Sequence, residues 1–288
     1  MDAVSLMLLL LTIALSSGRN LLSKSISGFT FGTKNFYSAQ AVIFLSGSLS
    51  LLLFGQISYS VNAITLLYSV IYGILLLSAQ WCYTAALNTE NTGVCATVYS
   101  LGFIFPTLSG CLFWNEKLSA VNLLGILTVI SAVIISGTNN KQNNAHNGNK
   151  GIVTLLIAML SSGGLGVMQK VQQGSQYPEQ KSAFILIAFT FAAVVSILFA
   201  VFAREKGIKV STKKMASASG AGICFGCCNL INTSLAGRLD SALFFPTLNI
   251  GTILLSVILS IFSFKEKQSS KDYCVLLLGC LSIILLNL

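Results

Sequence analysis

Long apolar runs alternate with short polar stretches along the whole chain. Ten of these runs approach the roughly 20 apolar residues that one membrane-spanning helix needs. The runs lie near residues 4–23, 36–55, 62–87, 92–113, 120–137, 151–171, 182–203, 214–236, 241–264 and 272–288. The polar stretches are too short for a soluble domain, and backbone groups inside a bilayer must bond within the protein. We therefore expect an all-α integral membrane protein with ten transmembrane helices.

The runs divide into two sets of five, and the same short sequence motifs recur in both sets. LSSG at Leu15–Gly18 returns at Leu160–Gly163, and NEKLS at Asn115–Ser119 returns as KEKQS at Lys265–Ser269. This pattern predicts a first five-helix repeat over residues 1–138, a polar hinge over 139–150 and a second repeat over 151–288. Because five is an odd number, the second repeat enters the membrane from the opposite side, which predicts an inverted repeat.

Composition supports a membrane location and excludes two other classes of protein. Hydrophobic residues make up 54% of the chain and charged residues 9%, which leaves too little polar surface for a soluble fold. The net charge of +9 lies mostly at the ends of apolar runs, so it indicates topology rather than nucleic-acid binding. Counting Lys and Arg in the loops predicts both termini outside, with Lys170 among the few basic residues on the opposite side.

Membrane enzymes need paired acids, a metal cluster or a nucleophile with its base at membrane depth. The few acidic residues here lie at the ends of runs, and the single histidine, His146, lies in the hinge. Cys224 and Cys227 have a redox or zinc spacing but no histidine nearby, which favours a packing role. We therefore expect no enzyme activity, no catalytic residue, no metal and no cofactor.

One stretch of the first half carries a family resemblance. Tyr83 to Gly125 reads as a span, a short turn, a proline-bearing span, a Glu-Lys pair and a glycine-bearing span, and Thr233 to Gly279 repeats this order more weakly. The order resembles the drug/metabolite transporter superfamily in its EamA-like ten-helix branch. The resemblance implies a transporter that works by alternating access. It also implies cytosolic termini, contrary to the charge count.

The four-helix multidrug exporters of the same superfamily carry a glutamate in the first span, eight residues before a lysine. The corresponding positions here are Ser16, before Lys24, and Ser162, before Lys170. The resemblance therefore does not extend to proton and cation exchange on that carboxylate.

Arg19 is the one basic residue well inside an apolar run. Burying a guanidinium is costly unless it reaches the interface, pairs with an acid or faces a wet cavity. Three interpretations follow: the side chain reaches the interface, it binds a substrate carboxylate or phosphate, or it forms an ion pair with Glu90 or Asp240.

Polar side chains at membrane depth face protein or water, and they serve either substrate binding or interhelical hydrogen bonds. Spans three, four, eight and nine supply most of them. The candidate substrate-binding residues are Ser16, Arg19, Gln80, Trp81, Tyr83, Thr84, Tyr99, Ser162, Asn229, Asn232 and Asn249. The stripe Ala218, Gly222 and Gly226 instead favours close helix packing. Glu116 and Lys117 are interpreted as interfacial anchors, and Ser119 as the cap of the next helix.

The sequence thus predicts a secondary active transporter in the plasma membrane. The favoured activity is export of a small polar metabolite such as an amino acid, with multidrug efflux of lipophilic or quaternary cations as the alternative. A passive channel is a further alternative. The expected partners are a small-molecule substrate and the lipid bilayer, with a coupling ion left open and nucleic acid excluded. The protein is expected as a monomer or a homodimer.

Overall fold

The computed structural model of the protein describes residues 2–24, 26, 29, 31–56, 61–86, 98–117, 119–137, 148–203, 211–264 and 270–286. Within these ranges the chain forms ten α-helices and no β-strand. The helices are α1 (Ala3–Lys24), α2 (Lys34–Phe54), α3 (Ala63–Ala86), α4 (Ile104–Phe113), α5 (Ala120–Gly137), α6 (Gly148–Gln173), α7 (Lys181–Phe202), α8 (Thr212–Ala236), α9 (Ser241–Phe264) and α10 (Ser270–Leu286).

Each apolar run of the sequence contains one of these helices, so the all-α prediction is confirmed for the described residues. Helical residues 98–100 and a short 3-10 turn at Leu101–Phe103 precede α4. Helix α6 begins at Gly148, inside the last residues of the predicted hinge, and 138–147 lie outside the described residues. In the described part of the chain, five helical segments are long and apolar enough to cross a membrane, near α1, α2, α3, α6 and α7.

Polar residues mark where several helices begin. The Thr33 hydroxyl accepts a hydrogen bond from the Phe36 backbone N–H at 3.3 Å and caps α2. The Ser119 hydroxyl accepts one from the Asn122 backbone N–H at 3.0 Å, so the predicted cap of the helix after the Glu-Lys pair is confirmed. Such caps satisfy backbone donors that the first helical turn leaves unpaired.

The helices pack across the two halves of the chain more than within each half. Helix α2 packs on α7 and α8, α3 on α6 and α7, α1 on α8 and α9, α4 on α6 and α9, and α5 on α10. One core lies among α2, α3, α7 and α8 and is centred on buried aromatic rings: Phe44, Tyr72, Phe184, Phe189 and Phe225. A second core joins α5, α9 and α10 with the first half of α1.

The stripe of small residues on α8 brings this helix into close contact with α2. A Cβ atom added at Gly222 would lie 2.1 Å from the backbone oxygen of Ile43, and one at Gly226 would lie 2.6 Å from the backbone oxygen of Gly47. These distances leave room only for hydrogen at both positions. The prediction that the stripe serves helix packing is confirmed.

We expect Gly222→Ala to lower the free energy of unfolding by about 2–3 kcal/mol, because the added methyl group must push apart two backbones that cannot yield. Gly18→Ala is the matched control, since a Cβ atom at Gly18 meets nothing within 4 Å. The control should be neutral or stabilising because alanine favours the helix. Thermal denaturation in detergent measures both variants, and equal effects would contradict the close-packing interpretation.

Candidate functional site

An arginine lies in the interior of the helix bundle. The Arg19 guanidinium of α1 donates a hydrogen bond to the Gln80 side-chain oxygen of α3, and its central carbon lies 3.6 Å from the centroid of the Phe225 ring of α8. A cation held over an aromatic face is stabilised by the ring quadrupole. No carboxylate among the described residues forms an ion pair with it, so the alternative of a pair with Asp240 is wrong, while Glu90 lies outside those residues.

Polar contacts join α1 to α8 in the part of α1 that precedes this arginine. The Thr12 hydroxyl donates to the Asn232 side-chain oxygen at 2.7 Å, and the Ser16 oxygen lies 3.4 Å from the Cys228 sulfur. The α1 residues of these contacts come successively closer to Arg19 in sequence, while their partners come successively earlier in α8. The two helices are therefore antiparallel, with Arg19 towards the end of α1 and near the middle of α8.

A buried hydrogen-bond network joins α3, α6 and α8 next to the arginine. The Tyr72 hydroxyl donates to the Asn229 side-chain oxygen at 2.5 Å and accepts from the Gln169 side-chain nitrogen at 2.8 Å. The Asn229 nitrogen donates to the Phe225 backbone oxygen at 2.8 Å. All three side chains are buried and are mutually satisfied, which makes such a network rigid.

A second set of polar groups follows Gln80 along α3. The Thr84 hydroxyl donates to the Gln80 backbone oxygen at 2.7 Å and accepts from the Gln40 side-chain nitrogen of α2 at 3.3 Å. Gln80 therefore contacts Arg19 through its side chain and Thr84 through its backbone. The result is a continuous polar path from α1 across α3 to α2.

Aromatic rings enclose the same end of α3. The Trp81 ring lies 5.1 Å from the Tyr37 ring and 5.2 Å from the Phe199 ring, in edge-to-face arrangements. Tyr83 and Tyr99 form a further pair, with 4.6 Å between ring centroids. Such pairs are rigid and amphipathic, and they suit the wall of a binding site.

Two of the predicted site residues lie away from this cluster. The Asn249 side-chain nitrogen donates to the Phe245 backbone oxygen of its own helix at 3.0 Å, and Ser162 lies on α6 against Gly102. No contact among the described residues joins either of them to Arg19. Arg19, Gln80 and Thr84 lie on the polar path described above. The other predicted residues lie in the contacts of α8 or in the aromatic pairs: Ser16, Asn229, Asn232, Trp81, Tyr83 and Tyr99.

Sequence reasoning missed several members of the cluster, namely Thr12, Gln40, Tyr72 and Gln169. Each is a polar residue within an otherwise apolar run, and each proves to be buried. The signal was therefore present, because an isolated polar side chain at membrane depth needs a partner. Their sequence separation hid which partner each of them has.

A buried ion pair lies at the end of the bundle where α4 and α6 finish and α9 begins. Glu116 pairs with Lys170, and the two side chains are 8% and 11% exposed. The Glu116 carboxylate also accepts from the Ser241 backbone N–H at 2.7 Å, and the Lys170 ammonium donates to the Leu239 backbone oxygen at 3.2 Å. Ser241 opens α9, so the carboxylate lies at the positive end of that helix.

Local backbone geometry turns Glu116 inward. Asn115 has φ of 52°, a left-handed conformation that reverses the chain after α4. A Cβ atom added at Gly110 would lie 2.2 Å from a Glu116 oxygen and 2.6 Å from the Ser241 Cβ, so only glycine leaves space for the cluster. Glu116 therefore lies inside an ion pair at the end of its span, whereas the neighbouring Lys117 is exposed. Lys170 is likewise a buried partner and not a free loop charge.

The described cysteines all carry free thiols, and Cys228 packs between α1 and α8. No group of three His, Cys, Asp or Glu side chains in the described part of the chain could hold a metal ion. Among the described residues, the charged side chains placed at this site and at the end of the bundle where α9 begins are Arg19, Glu116 and Lys170.

Comparisons with known proteins agree with the resemblance to the drug/metabolite transporter superfamily. No protein-family model matches the chain. The chain is 35% identical over 65 residues to the probable 4-amino-4-deoxy-L-arabinose-phosphoundecaprenol flippase subunit ArnE of Erwinia tasmaniensis. That match covers 23% of this chain and 60% of the relative, which is less than two thirds of the relative's length.

A solved crystal structure shares the fold over almost the entire chain. The TM-score is 0.80 with 99% of this chain and 96% of the other covered, while 15% of the residues are identical. This likeness shows a common fold and nothing about activity. The sequence match to a flippase subunit agrees with the resemblance, and the solved structure shows the shared fold.

Proposed function

We propose that this chain, which resembles the drug/metabolite transporters, is a secondary active transporter of the EamA-like branch. It exports a small polar metabolite with a carboxylate, such as an amino acid, across the plasma membrane. Ten transmembrane helices arranged as two inverted five-helix repeats move against each other to give alternating access. The observation that carries the proposal is Arg19, a cation in the bundle interior that neutral groups surround among the described residues.

The pattern of helix contacts supports the repeat. If the halves are exchanged, so that α1 becomes α6 and α2 becomes α7, the contact of α2 with α8 becomes that of α7 with α3. The contact of α3 with α6 becomes that of α8 with α1. The contacts between α2 and α7 and between α5 and α10 map onto themselves. A two-fold relation between the halves requires this behaviour.

We assign substrate binding to the path around Arg19. Its guanidinium presents a fork of donors that matches a carboxylate, and the residues around it supply neutral donors and acceptors. The assigned residues are Ser16, Arg19, Gln80, Trp81, Tyr83, Thr84, Tyr99, Asn229 and Asn232, with Ser162 and Asn249 as candidates contributed by α6 and α9.

The ion pair of Glu116 and Lys170 supports alternating access. It links the first half to the second, and it lies at the end of the bundle where α1 begins and α8 finishes. Arg19 lies towards the other end of α1. We propose that the pair holds this end closed in the present conformation and separates when the site opens there.

The flippase match supports a second candidate function, the movement of a phosphate-linked lipid between leaflets. Arg19 would then bind the phosphate, since a guanidinium pairs with phosphate as it does with a carboxylate. A soluble amino acid and a lipid phosphate are easily separated by experiment, because only the lipid needs a membrane surface.

Purified protein should therefore show saturable, counter-substrate-stimulated uptake in liposomes. A thermal-shift screen against amino acids, nucleosides, sugars, phosphates and quaternary amines selects the substrate first, because a ligand that binds the folded state stabilises it. At 100 times the dissociation constant, the stabilisation is about 2.7 kcal/mol. We expect amino acids to give the largest shifts.

Other outcomes of the same screen separate the alternatives. Shifts with quaternary amines alone would favour multidrug efflux over metabolite export. Stabilisation by lipid phosphates, with movement of a fluorescent lipid between leaflets, would favour the flippase. Uptake that rises linearly with substrate concentration and is not stimulated by counter-substrate would contradict every carrier mechanism and indicate a channel.

A further inference from the structure

Two buried polar atoms on the path around Arg19 lack a hydrogen-bond partner among the described residues. They are the Gln40 side-chain oxygen of α2 and the Trp81 indole nitrogen of α3. Gln40 is 2% exposed, and the other half of its amide is already held by Thr84. One atom is an acceptor and the other is a donor, so together they can hold a ligand that carries both types of group.

An unpartnered polar atom inside a protein costs its full desolvation penalty, and native interiors seldom contain one without a reason. The cost is higher at membrane depth because water is scarce there. The other unpartnered atoms in the described part of the chain are hydroxyl groups of Ser5, Thr247 and Ser256, none of which lies on this path. Gln40 and Trp81 therefore stand out by their place beside Thr84 and Gln80, the residues that lead to Arg19.

The spacing along α3 relates Gln40 to Arg19. Gln80 and Thr84 are four residues apart on one face of the helix, which separates them by about one turn, ~5.4 Å along the axis. Arg19 bonds the Gln80 side chain, and Gln40 bonds the Thr84 side chain. Gln80 and Thr84 thus connect the guanidinium to Gln40 across about one helical turn, a span that a small molecule with two charged ends can bridge.

We propose that Gln40 and Trp81 complete the substrate site and make it specific for a zwitterion with an amine next to its carboxylate. Arg19 binds the carboxylate, and the Gln40 oxygen accepts a hydrogen bond from the ammonium group. The Trp81 nitrogen donates to a carboxylate oxygen of the substrate. This inference rests on the proposed transport function and adds the substrate class and two residues that decide it.

The test compares amino acids with acids that lack only the amine. The probes are L-leucine with 4-methylpentanoate and L-phenylalanine with 3-phenylpropanoate, titrated by thermal shift in detergent. Wild-type protein should bind an amino acid at least tenfold more tightly than its matched acid. Gln40→Leu should remove this preference. It should weaken binding of the amino acid about tenfold, or about 1.4 kcal/mol, and change binding of the matched acid little.

A buried glutamine with satisfied groups provides the matched control. The Gln172 nitrogen donates to the Tyr177 backbone oxygen at 3.1 Å, and its oxygen accepts from Gln173 at 2.6 Å. Gln172→Leu should lower the stability of the ligand-free protein and keep the preference for amino acids. Gln40→Leu should cost less stability than this control, because it also removes an unpartnered oxygen from the interior.

The outcomes distinguish failure of this inference from failure of the proposed function. If wild-type protein binds the amino acid and the matched acid equally, or if Gln40→Leu weakens both equally, the zwitterion site is overturned while the transporter stands. If neither amino acids nor acids bind and another class of compound does, both the substrate class and this inference are overturned. Loss of the preference in the Gln172→Leu control would overturn the role of Gln40.

Discussion

Lys170→Met should lower the free energy of unfolding by about 3 kcal/mol or more, because it leaves the Glu116 carboxylate buried without its cation. The paired side chains are 8% and 11% exposed, so water cannot replace the lost ammonium group. The Ser241 backbone N–H still supports the carboxylate. Methionine keeps most of the side-chain volume, so the loss reports charge and not packing.

A double-mutant cycle isolates the interaction of the two charges. Glu116→Gln leaves the Lys170 ammonium unpaired, and the variant with both substitutions leaves neither charge. We expect each single variant to be strongly destabilised. The double variant should lose at least 1 kcal/mol less stability than the sum of the two single losses. The control is Lys117→Met, the same change at an exposed neighbour, which should stay within about 0.5 kcal/mol of wild type.

Exchanging the two charges tests the part played by α9. In the variant with Glu116→Lys and Lys170→Glu, an ammonium group would face the Ser241 backbone N–H at the positive end of the helix. We expect only partial recovery of stability. Full recovery would show that the helix end contributes nothing, and additive effects in the cycle would show that the two residues do not interact.

The apolar runs made the helices predictable, because the ends of a span are set by polar residues that cannot remain in the bilayer. Most helix bounds fall within three residues of the runs read from the sequence. The Ser119 cap was predictable for the same reason, since it depends on neighbours three residues away. Such local features need no knowledge of the tertiary structure.

The contacts between distant segments were not predictable. Glu116 and Lys170 each stand at the end of an apolar run, where a charged residue ordinarily faces water, and only the three-dimensional packing shows that they meet. Tyr72 and Gln169 each look like an isolated polar residue in an apolar run. Their roles depend on Asn229, which lies on a third helix. Sequence alone identified Asn229 but gave no means of choosing its partners.

The sequence predicted that Arg19 is unusual, but it did not predict where the side chain lies. Its cost in an apolar run was evident, yet its three interpretations differ only in the direction of the side chain. The structure turns it towards Gln80 and Phe225, inside the bundle, and so argues against the interpretation of an interfacial side chain.

Arg19→Ala should abolish both the ligand-induced thermal shift and the counter-stimulated uptake of amino acids. A charge-assisted hydrogen bond is worth about 1.5–3 kcal/mol, so the affinity should fall at least tenfold. The ligand-free protein should keep its stability to within about 1 kcal/mol, because removing a partly buried charge offsets the loss of one partner for Gln80. Liposome uptake and thermal shift measure the two effects separately.

Arg19→Lys separates the charge from its geometry. Lysine restores a cation but not the planar fork that binds both carboxylate oxygens, so we expect partial binding, between that of Arg19→Ala and that of wild type. The matched control is Arg238→Ala, which removes an exposed arginine and should leave transport unchanged. An undiminished shift in Arg19→Ala would remove this residue from the site. Equal loss in the Arg238→Ala control would trace the effect to net charge and not to a binding site at Arg19.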